Sequence, residues 1–236
     1  MSRGCFFSVA IDGPSGAGKS TIARHVARAL GFLYVDTGAL YRALALLARR
    51  RGVVLADEDG VAALFPEADV RLTYEDGVLS VFLGGEDVTG AIRAHEISQA
   101  ASDISKLPAV RAFLLDTQRA FARAQDVIMD GRDIGTVVLP NADVKIFLTA
   151  DPEERARRRF LELEARGAPV DYDTVRVDII RRDENDARRA FAPLRPANDA
   201  IWVDTTGNTW EKSMQLILDL VKGKLAQCST DSHMGL

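Results

Sequence analysis

Short apolar runs alternate along the chain with longer stretches in which apolar residues recur every three or four positions. The apolar runs predict strands at about residues 6–11, 33–35, 127–129, 144–148 and 201–203. The first helix is predicted at 21–30, directly after the first strand and a glycine-rich turn. Strands that alternate with helices are typical of a parallel sheet flanked by helices, so the pattern predicts an α/β fold.

One interval departs from this pattern. Residues 70–74 and 78–83 alternate in strand fashion around Glu75-Asp76-Gly77, which predicts a β-hairpin. We expect it to lie in an antiparallel subdomain inserted in a single domain that spans residues 1–228. The expected parts are a core at about 1–60, 98–150 and 196–228, the insertion at about 61–97, a helical Arg-rich region at about 151–195 and a flexible tail at 229–236.

Composition narrows the class of protein. With 47% hydrophobic and 27% charged residues over 236 positions, the chain is expected to bury one globular core with insertions. No apolar run approaches the length of a membrane span, so we expect a cytoplasmic protein without a membrane partner. A net charge of −4 argues against a nucleic-acid partner. No helix has a surplus apolar face, which favours a monomer.

The strongest chemical signal is a glycine-rich motif between the first strand and the first helix. Its residues are Gly13, Pro14, Ser15, Gly16, Ala17, Gly18, Lys19 and Ser20, followed by Thr21. Glycines let backbone N–H groups approach phosphate oxygens, Lys19 can reach the β and γ phosphates, and the Ser20 hydroxyl can ligate Mg²⁺. A glycine-rich turn without function would not account for the Lys-Ser pair. The motif therefore predicts a P-loop that binds ATP with Mg²⁺.

Three of the predicted strands end in an aspartate. Ligands of open α/β sheets lie at the carboxyl ends of the strands, so Asp36 and Asp130 are expected to hold Mg²⁺ or its waters beside the phosphates. The third, Asp204, is expected to be a turn or cap residue.

Further charged clusters surround these strand ends. Residues 36–42 place Tyr41 and Arg42 on a helix whose N-terminus could hold a second phosphate. In 130–133, two acids flank Arg132, which indicates either a ligand site or an internal ion pair. Farther along, the spacing of Arg182, Asp186 and Arg189 predicts one shared helix face.

The segment 151–195 is dense in arginine. It holds eleven of the chain's arginines and eleven acidic residues, so most of these arginines are expected in surface salt bridges and only a minority at a site.

Together these residues resemble the bacterial cytidylate kinases, a family of nucleoside monophosphate kinases, over nearly the whole chain. The segments that carry the resemblance are 11–20, 36–42, 85–89, 130–133, 144–148, 154–159, 182–186 and 192–194. The resemblance implies a P-loop three-layer sandwich with a parallel sheet, an inserted antiparallel monophosphate-binding subdomain and a helical lid. It also implies transfer of the γ-phosphoryl group of ATP to CMP or dCMP.

The resemblance further implies roles for individual residues. The base would be read by Ser102, Arg111 and Asp133, because an acid can accept from the exocyclic amine of cytosine. The remaining substrate-binding residues would be Asp36, Thr37, Tyr41, Arg42, Arg132, Arg182, Asp186 and Arg189, with Arg42 and Arg132 on the monophosphate. Arg158 would fold over ATP in the lid. The charge on the transferred group would be offset by Lys19, Arg132, Arg158 and Arg189.

Two alternatives remain open. The first is another acceptor, such as UMP or AMP, on the same fold. The second is a P-loop switch or assembly protein that slowly hydrolyses its nucleotide. A switch would lack the second phosphate site that Arg42, Arg132 and Arg189 suggest, and the guanine-reading pattern Asn-Lys-x-Asp is absent from the sequence.

Overall fold

The apolar runs form the strands of two sheets in a computed structural model that describes residues 6–75, 78–165, 167 and 169–234. The strands are β1 (Ser8–Asp12), β2 (Leu33–Asp36), β3 (Val70–Glu75), β4 (Val78–Leu83), β5 (Glu86–Asp87), β6 (Val127–Gly131), β7 (Val144–Thr149) and β8 (Ile201–Asp204). The helices are α1 (Lys19–Leu30), α2 (Thr37–Arg50), α3 (Glu58–Ala62), α4 (His95–Ile104), α5 (Pro108–Ala124), α6 (Pro152–Ala165), α7 (Tyr172–Ala187) and α8 (Trp210–Met234).

The larger sheet has five strands in the order β2-β6-β1-β7-β8, and β1 pairs in parallel with both β6 and β7. Its register aligns Ile11 with Asp130 and Asp12 with Gly131. The glycine-rich motif and the 130–133 motif therefore begin at the same edge of the sheet. The predicted parallel sheet flanked by helices is confirmed, and so is Asp204 as a turn residue, because it accepts a hydrogen bond from the backbone N–H of Thr206 at 2.8 Å.

The chain divides into two compact units, one of residues 1–35 with 122–236 and one of residues 36–121. The second unit contains the predicted hairpin, in a three-stranded sheet of order β3-β4-β5. Asp76 and Gly77 of its predicted turn lie outside the described residues. The expected insertion at 61–97 lies within this larger unit, and its boundaries stay a prediction. A hairpin cannot bury its apolar face alone, and here helices α2, α4 and α5 share its core.

Periodicity accounts for the core of the second unit. Along α2, Leu40, Leu44 and Leu47 recur every three or four residues and are buried. In β4, buried residues alternate with less buried ones, so that Val81 faces the same cluster.

The C-terminal segment differs from the expectation of a tail at 229–236. Helix α8 continues without interruption from Trp210 to Met234. A helix that has already formed extends at one hydrogen bond per added residue, so weak helix formers at its end can continue it. The flexibility of this segment stays a prediction. Among the described residues, no helix is both long and apolar enough to cross a bilayer.

We expect Leu44→Ala to lower the free energy of unfolding by about 2–5 kcal/mol, because Leu44 is completely buried in the second unit and its removal leaves a cavity. The matched control is Leu216→Ala, at a position that is 43% exposed, which should change it by less than about 1 kcal/mol. Urea unfolding of the two variants and the wild type measures both values. Equal losses would contradict the assignment of Leu44 to the core.

Candidate active site

The glycine-rich loop joins the end of β1 to the first turn of α1, as its sequence predicts. Gly13 has a φ of 150°, and a Cβ atom there would lie 1.9 Å from the carbonyl oxygen of Leu148 in β7. No other residue fits this position without displacing the strand. The loop is therefore packed directly against the central sheet, and its helix begins at Lys19.

Lys19 is buried, and its Nζ donates a hydrogen bond to the carbonyl oxygen of Pro14 at 2.7 Å. Burial and the nearby Arg132 lower the pKa of Lys19 to about 7. Asp130 and Asp186 raise it and so offset part of this decrease. Two cations thus lie close together in the first unit, where an anion such as a phosphate would stabilise both.

Ser20 and Asp130 lie together at the start of α1. The Ser20 hydroxyl donates to Asp130 Oδ2 at 2.8 Å, and Tyr34 Oη donates to Asp130 Oδ1 at the same distance. A hydroxyl and a carboxylate are hard oxygen ligands of the kind that Mg²⁺ takes, so these two side chains fit that ion. No group of three or more His, Cys, Asp or Glu suited to a metal occurs in the described part of the chain. Mg²⁺ in nucleotide sites usually keeps several waters and takes further oxygens from the phosphates.

A buried carboxylate brings two of the predicted phosphate-binding arginines together. Arg132 Nε donates to Asp186 Oδ2 at 2.6 Å, and Asp186 also pairs with Arg189. Burial would raise the pKa of Asp186, but Arg132 and Arg189 outweigh it and hold that pKa below its usual range. Helix α7 ends at Ala187, so the expectation that Arg189 shares a helix face with Arg182 is wrong. Arg189 pairs with Asp186 from the segment that follows the helix.

Other predicted residues meet in the second unit. Asp36 caps α2 by accepting from the backbone N–H of Ala39 at 3.1 Å, and it pairs with Arg42 at 2.7 Å. Both of its carboxylate oxygens are engaged in these contacts, and its assignment to Mg²⁺ stays a prediction. Thr37, in the first turn of α2, is buried.

The predicted base-reading residues of the second unit are linked through one turn. Arg111 lies over the ring of Tyr41, with Cζ 5.8 Å from the ring centroid, and donates to the carbonyl oxygen of Ser105 at 3.2 Å. Ser105 in turn donates to the carbonyl oxygen of Ser102 at 2.8 Å. The buried Ser102 hydroxyl has no hydrogen-bond partner among the described residues. A buried hydroxyl without a partner is costly, which suits a group that meets a ligand.

Arg158 takes up internal partners. Its guanidinium donates to the hydroxyl of Thr205 at 3.2 Å and to the carbonyl oxygen of Thr205 at 3.0 Å, and it pairs with Glu154. Its predicted place over ATP stays a prediction. Asp133, the third predicted base reader, is buried and follows β6 in the first unit.

Two buried residues of the site were not predicted. Asp12 accepts hydrogen bonds from the backbone N–H groups of Ile134 and Gly135, both at 2.7 Å. The sequence feature that could have indicated Asp12 is an acid at the end of an otherwise apolar strand. Arg155 donates to the carbonyl oxygen of Ser15 at 2.9 Å. Nothing in the sequence separates it from the neighbouring arginines.

The fold and site define a P-loop phosphotransferase: a loop of backbone donors at the carboxyl edge of a parallel sheet, a lysine and serine at its helix, and buried arginines beside them. The comparisons with known proteins agree. The family model described as "Cytidylate kinase" matches residues 9–223. The cytidylate kinase of Pelotomaculum thermopropionicum is 53% identical, with 90% of this chain and 95% of that protein covered. The cytidylate kinase of Caldicellulosiruptor bescii is 49% identical, with coverage of 90% and 94%. The chain belongs to the cytidylate kinase family.

A solved structure extends the comparison of folds. An uncharacterized protein from Eubacterium ventriosum is 12% identical, with a TM-score of 0.51 over 92% of this chain and 98% of that one. At this identity the likeness concerns the fold alone.

Asp12 should give the stability of the protein a characteristic pH dependence. Burial raises its pKa from 3.8 to about 6, so the folded state holds this proton more tightly than the unfolded state does. The stability that this proton contributes is present below about pH 4 and is lost as the pH rises to about 6. The loss amounts to about 3 kcal/mol.

The measurement is urea unfolding of the wild type and of Asp12→Asn between pH 4 and 7.5. Asn cannot titrate, so the stability of the wild type relative to the variant should fall across this range. The loss of one acceptor in the variant is independent of pH and shifts the whole curve. Asp219→Asn, at an exposed position of α8, should leave the wild-type curve unchanged. Parallel curves for the wild type and Asp12→Asn would contradict the raised pKa.

Proposed function

We propose that the chain transfers the γ-phosphoryl group of ATP to CMP or dCMP, giving ADP and CDP or dCDP. The observation that carries the proposal is the pair of phosphate-binding elements in the first unit. Lys19 of the P-loop is close enough to Arg132 and Asp186 for both to shift its pKa. Donor and acceptor phosphates can then share one cationic environment, which hydrolysis by a switch protein does not require.

Positioning and charge neutralisation account for the chemistry. The acceptor is a phosphate that is already ionised at neutral pH, so no strong general base is needed. Backbone N–H groups of the loop and Lys19 hold the phosphates of ATP, while Arg132 and Arg189 offset charge on the transferred group and its acceptor. Mg²⁺ would be held by Ser20 and Asp130 and would supply further positive charge beside the phosphates. Arg158 covers ATP once its guanidinium has moved away from Thr205 and Glu154.

The acceptor is recognised by polar and charged side chains. Ser102, Arg111 and Asp133 read cytosine, with Asp133 accepting from the exocyclic amine. Arg42 and Arg132 bind the monophosphate, and Tyr41, Arg182 and Asp186 lie near the sugar. Asp36 and Thr37 also contribute to the binding of the acceptor. The buried, unpartnered hydroxyl of Ser102 supports a role at a ligand. We further propose that the enzyme acts as a monomer in the cytoplasm.

The acceptor is tested by ADP formation from ATP and Mg²⁺ with CMP, dCMP, UMP, AMP or no acceptor. We expect strong stimulation by CMP and dCMP. Stimulation by UMP or AMP instead would assign a different acceptor on the same fold. Equal ADP release in all samples, including the one without acceptor, would mean a hydrolysing switch and would overturn the proposal.

Asp133→Ala tests the reading of the base. Uracil lacks the amine that Asp133 accepts from, so the variant should lose most of the preference for CMP over UMP. A hydrogen bond to a charged group contributes about 1.5–3 kcal/mol, so the ratio of the two kcat/KM values should fall roughly 10- to 100-fold. Asp219→Ala at an exposed site should retain the wild-type ratio. A retained ratio in Asp133→Ala would exclude this role.

Lys19→Ala should lower kcat by about 100-fold or more, because a donor to the transferred phosphoryl group is lost. The free energy of unfolding should change far less, since the lowered pKa of Lys19 indicates that its charge is costly to bury. The control is Lys222→Ala on the exposed side of α8. Steady-state kinetics and urea unfolding separate the two effects, and an unchanged rate would contradict the P-loop assignment.

A further inference from the structure

Arg155 is a buried arginine near the start of α6 that the phosphoryl-transfer scheme does not use. It is 3% exposed. Its Nη1 atom donates to the carbonyl oxygen of Ser15 at 2.9 Å, and its Nε atom donates to the carbonyl oxygen of Ala150 at 2.8 Å. Nη1 also pairs with Asp183 Oδ2 at 2.7 Å. One planar side chain thus joins the P-loop, the end of β7 and helix α7.

The contact with Ser15 fixes a peptide group of the loop. A trans peptide is planar, with its C=O and N–H bonds on opposite sides. Arg155 holds the Ser15 carbonyl, so the N–H group of Gly16 in the same peptide is directed away from Arg155. A P-loop binds phosphate through backbone N–H groups that must all face the anion. The orientation of this peptide therefore bears directly on how many donors the loop offers.

The backbone of residue 155 also touches the loop. A Cβ atom at Gly16, which has a φ of 75°, would lie 3.0 Å from the carbonyl oxygen of Arg155 and 3.2 Å from its Cβ. The main chain of Arg155 therefore lies close beside Gly16, and its side chain binds the carbonyl oxygen of Ser15. Its other partner, Asp183, fixes the guanidinium and shares helix α7 with Asp186 of the Arg132 ion pair.

We propose that Arg155 is a positioning residue that holds the Ser15–Gly16 peptide with its N–H group available to the phosphates of ATP. The inference rests on the proposed function only in taking ATP as the nucleotide, whichever acceptor is used. Its guanidinium is engaged by two backbone carbonyl oxygens and by Asp183. Arg155 acts through the loop, so its loss should weaken the binding of ATP more than the binding of CMP.

The test compares Arg155→Met and Arg155→Lys with Arg157→Met, a matched change at an exposed position two residues along the same helix. Equilibrium binding of ATP with Mg²⁺ is measured by calorimetry without acceptor, and KM is measured for ATP and for CMP. Arg155→Met should weaken ATP binding and raise the KM for ATP about tenfold, a change of roughly 1.4 kcal/mol in binding free energy. The KM for CMP should change less than threefold, and Arg157→Met should match the wild type.

Arg155→Lys keeps the test decisive where Arg155→Met does not fold. Lysine preserves the charge opposite Asp183 but lacks the fork that reaches both carbonyl oxygens. We expect it to fold and to lose part of the ATP affinity. ATP affinity within twofold of the wild type, or an equal rise of KM for ATP and CMP, would overturn the proposal. Because ATP binding is measured without acceptor, failure of CMP as a substrate would appear only in the acceptor comparison.

Discussion

The close approach of two cations, the buried Lys19 and the half-buried Arg132, is the constraint on which the site depends. Arg132 lowers the pKa of the buried Lys19, and burying a charge is costly unless it is paired. The acids at this edge of the sheet meet that requirement: Asp186 pairs with Arg132, and Asp130 acts on both cations. Asp130 and Asp186 are proposed to bind Mg²⁺ and the sugar, and they also stabilise the two cations in the folded protein. The same side chains therefore serve both roles.

The P-loop is held in place by contacts on both of its sides. Its first glycine lies against the Leu148 carbonyl, and Asp12, the residue before it, accepts from the N–H groups of Ile134 and Gly135. The loop is thus connected on one side to β7 and on the other to the segment that follows Arg132. Donors that are held before the ligand arrives need no reorganisation when charge develops, which is why such connections favour catalysis.

Local signals explain what could be predicted from the sequence. The P-loop needs only eight consecutive residues, and the strands follow from short apolar runs, so both can be located from the sequence. The pairing of Arg132 with Asp186 joins positions 54 residues apart, and no spacing rule reaches that far. The roles of Asp12 and Arg155 depend on which backbone groups lie beside them. The end of α7 at Ala187 and the shared core of the unit 36–121 likewise follow from tertiary packing.

The arginines of 151–195 show that the surroundings of an arginine determine its role. Arg176 pairs with Glu153 at the surface, where such a bond contributes little to stability, whereas Arg155 is buried and holds backbone carbonyls. Arg158 lies between these cases, with a half-buried guanidinium on Glu154 and Thr205. Its present bonds are to a single carboxylate and neutral oxygens. A polyphosphate carries more charge than these partners, so exchange of Arg158 from Thr205 to a nucleotide would replace weak contacts by stronger ones. An arginine that is paired in this way can belong to a lid without leaving an unpaired charge in either position.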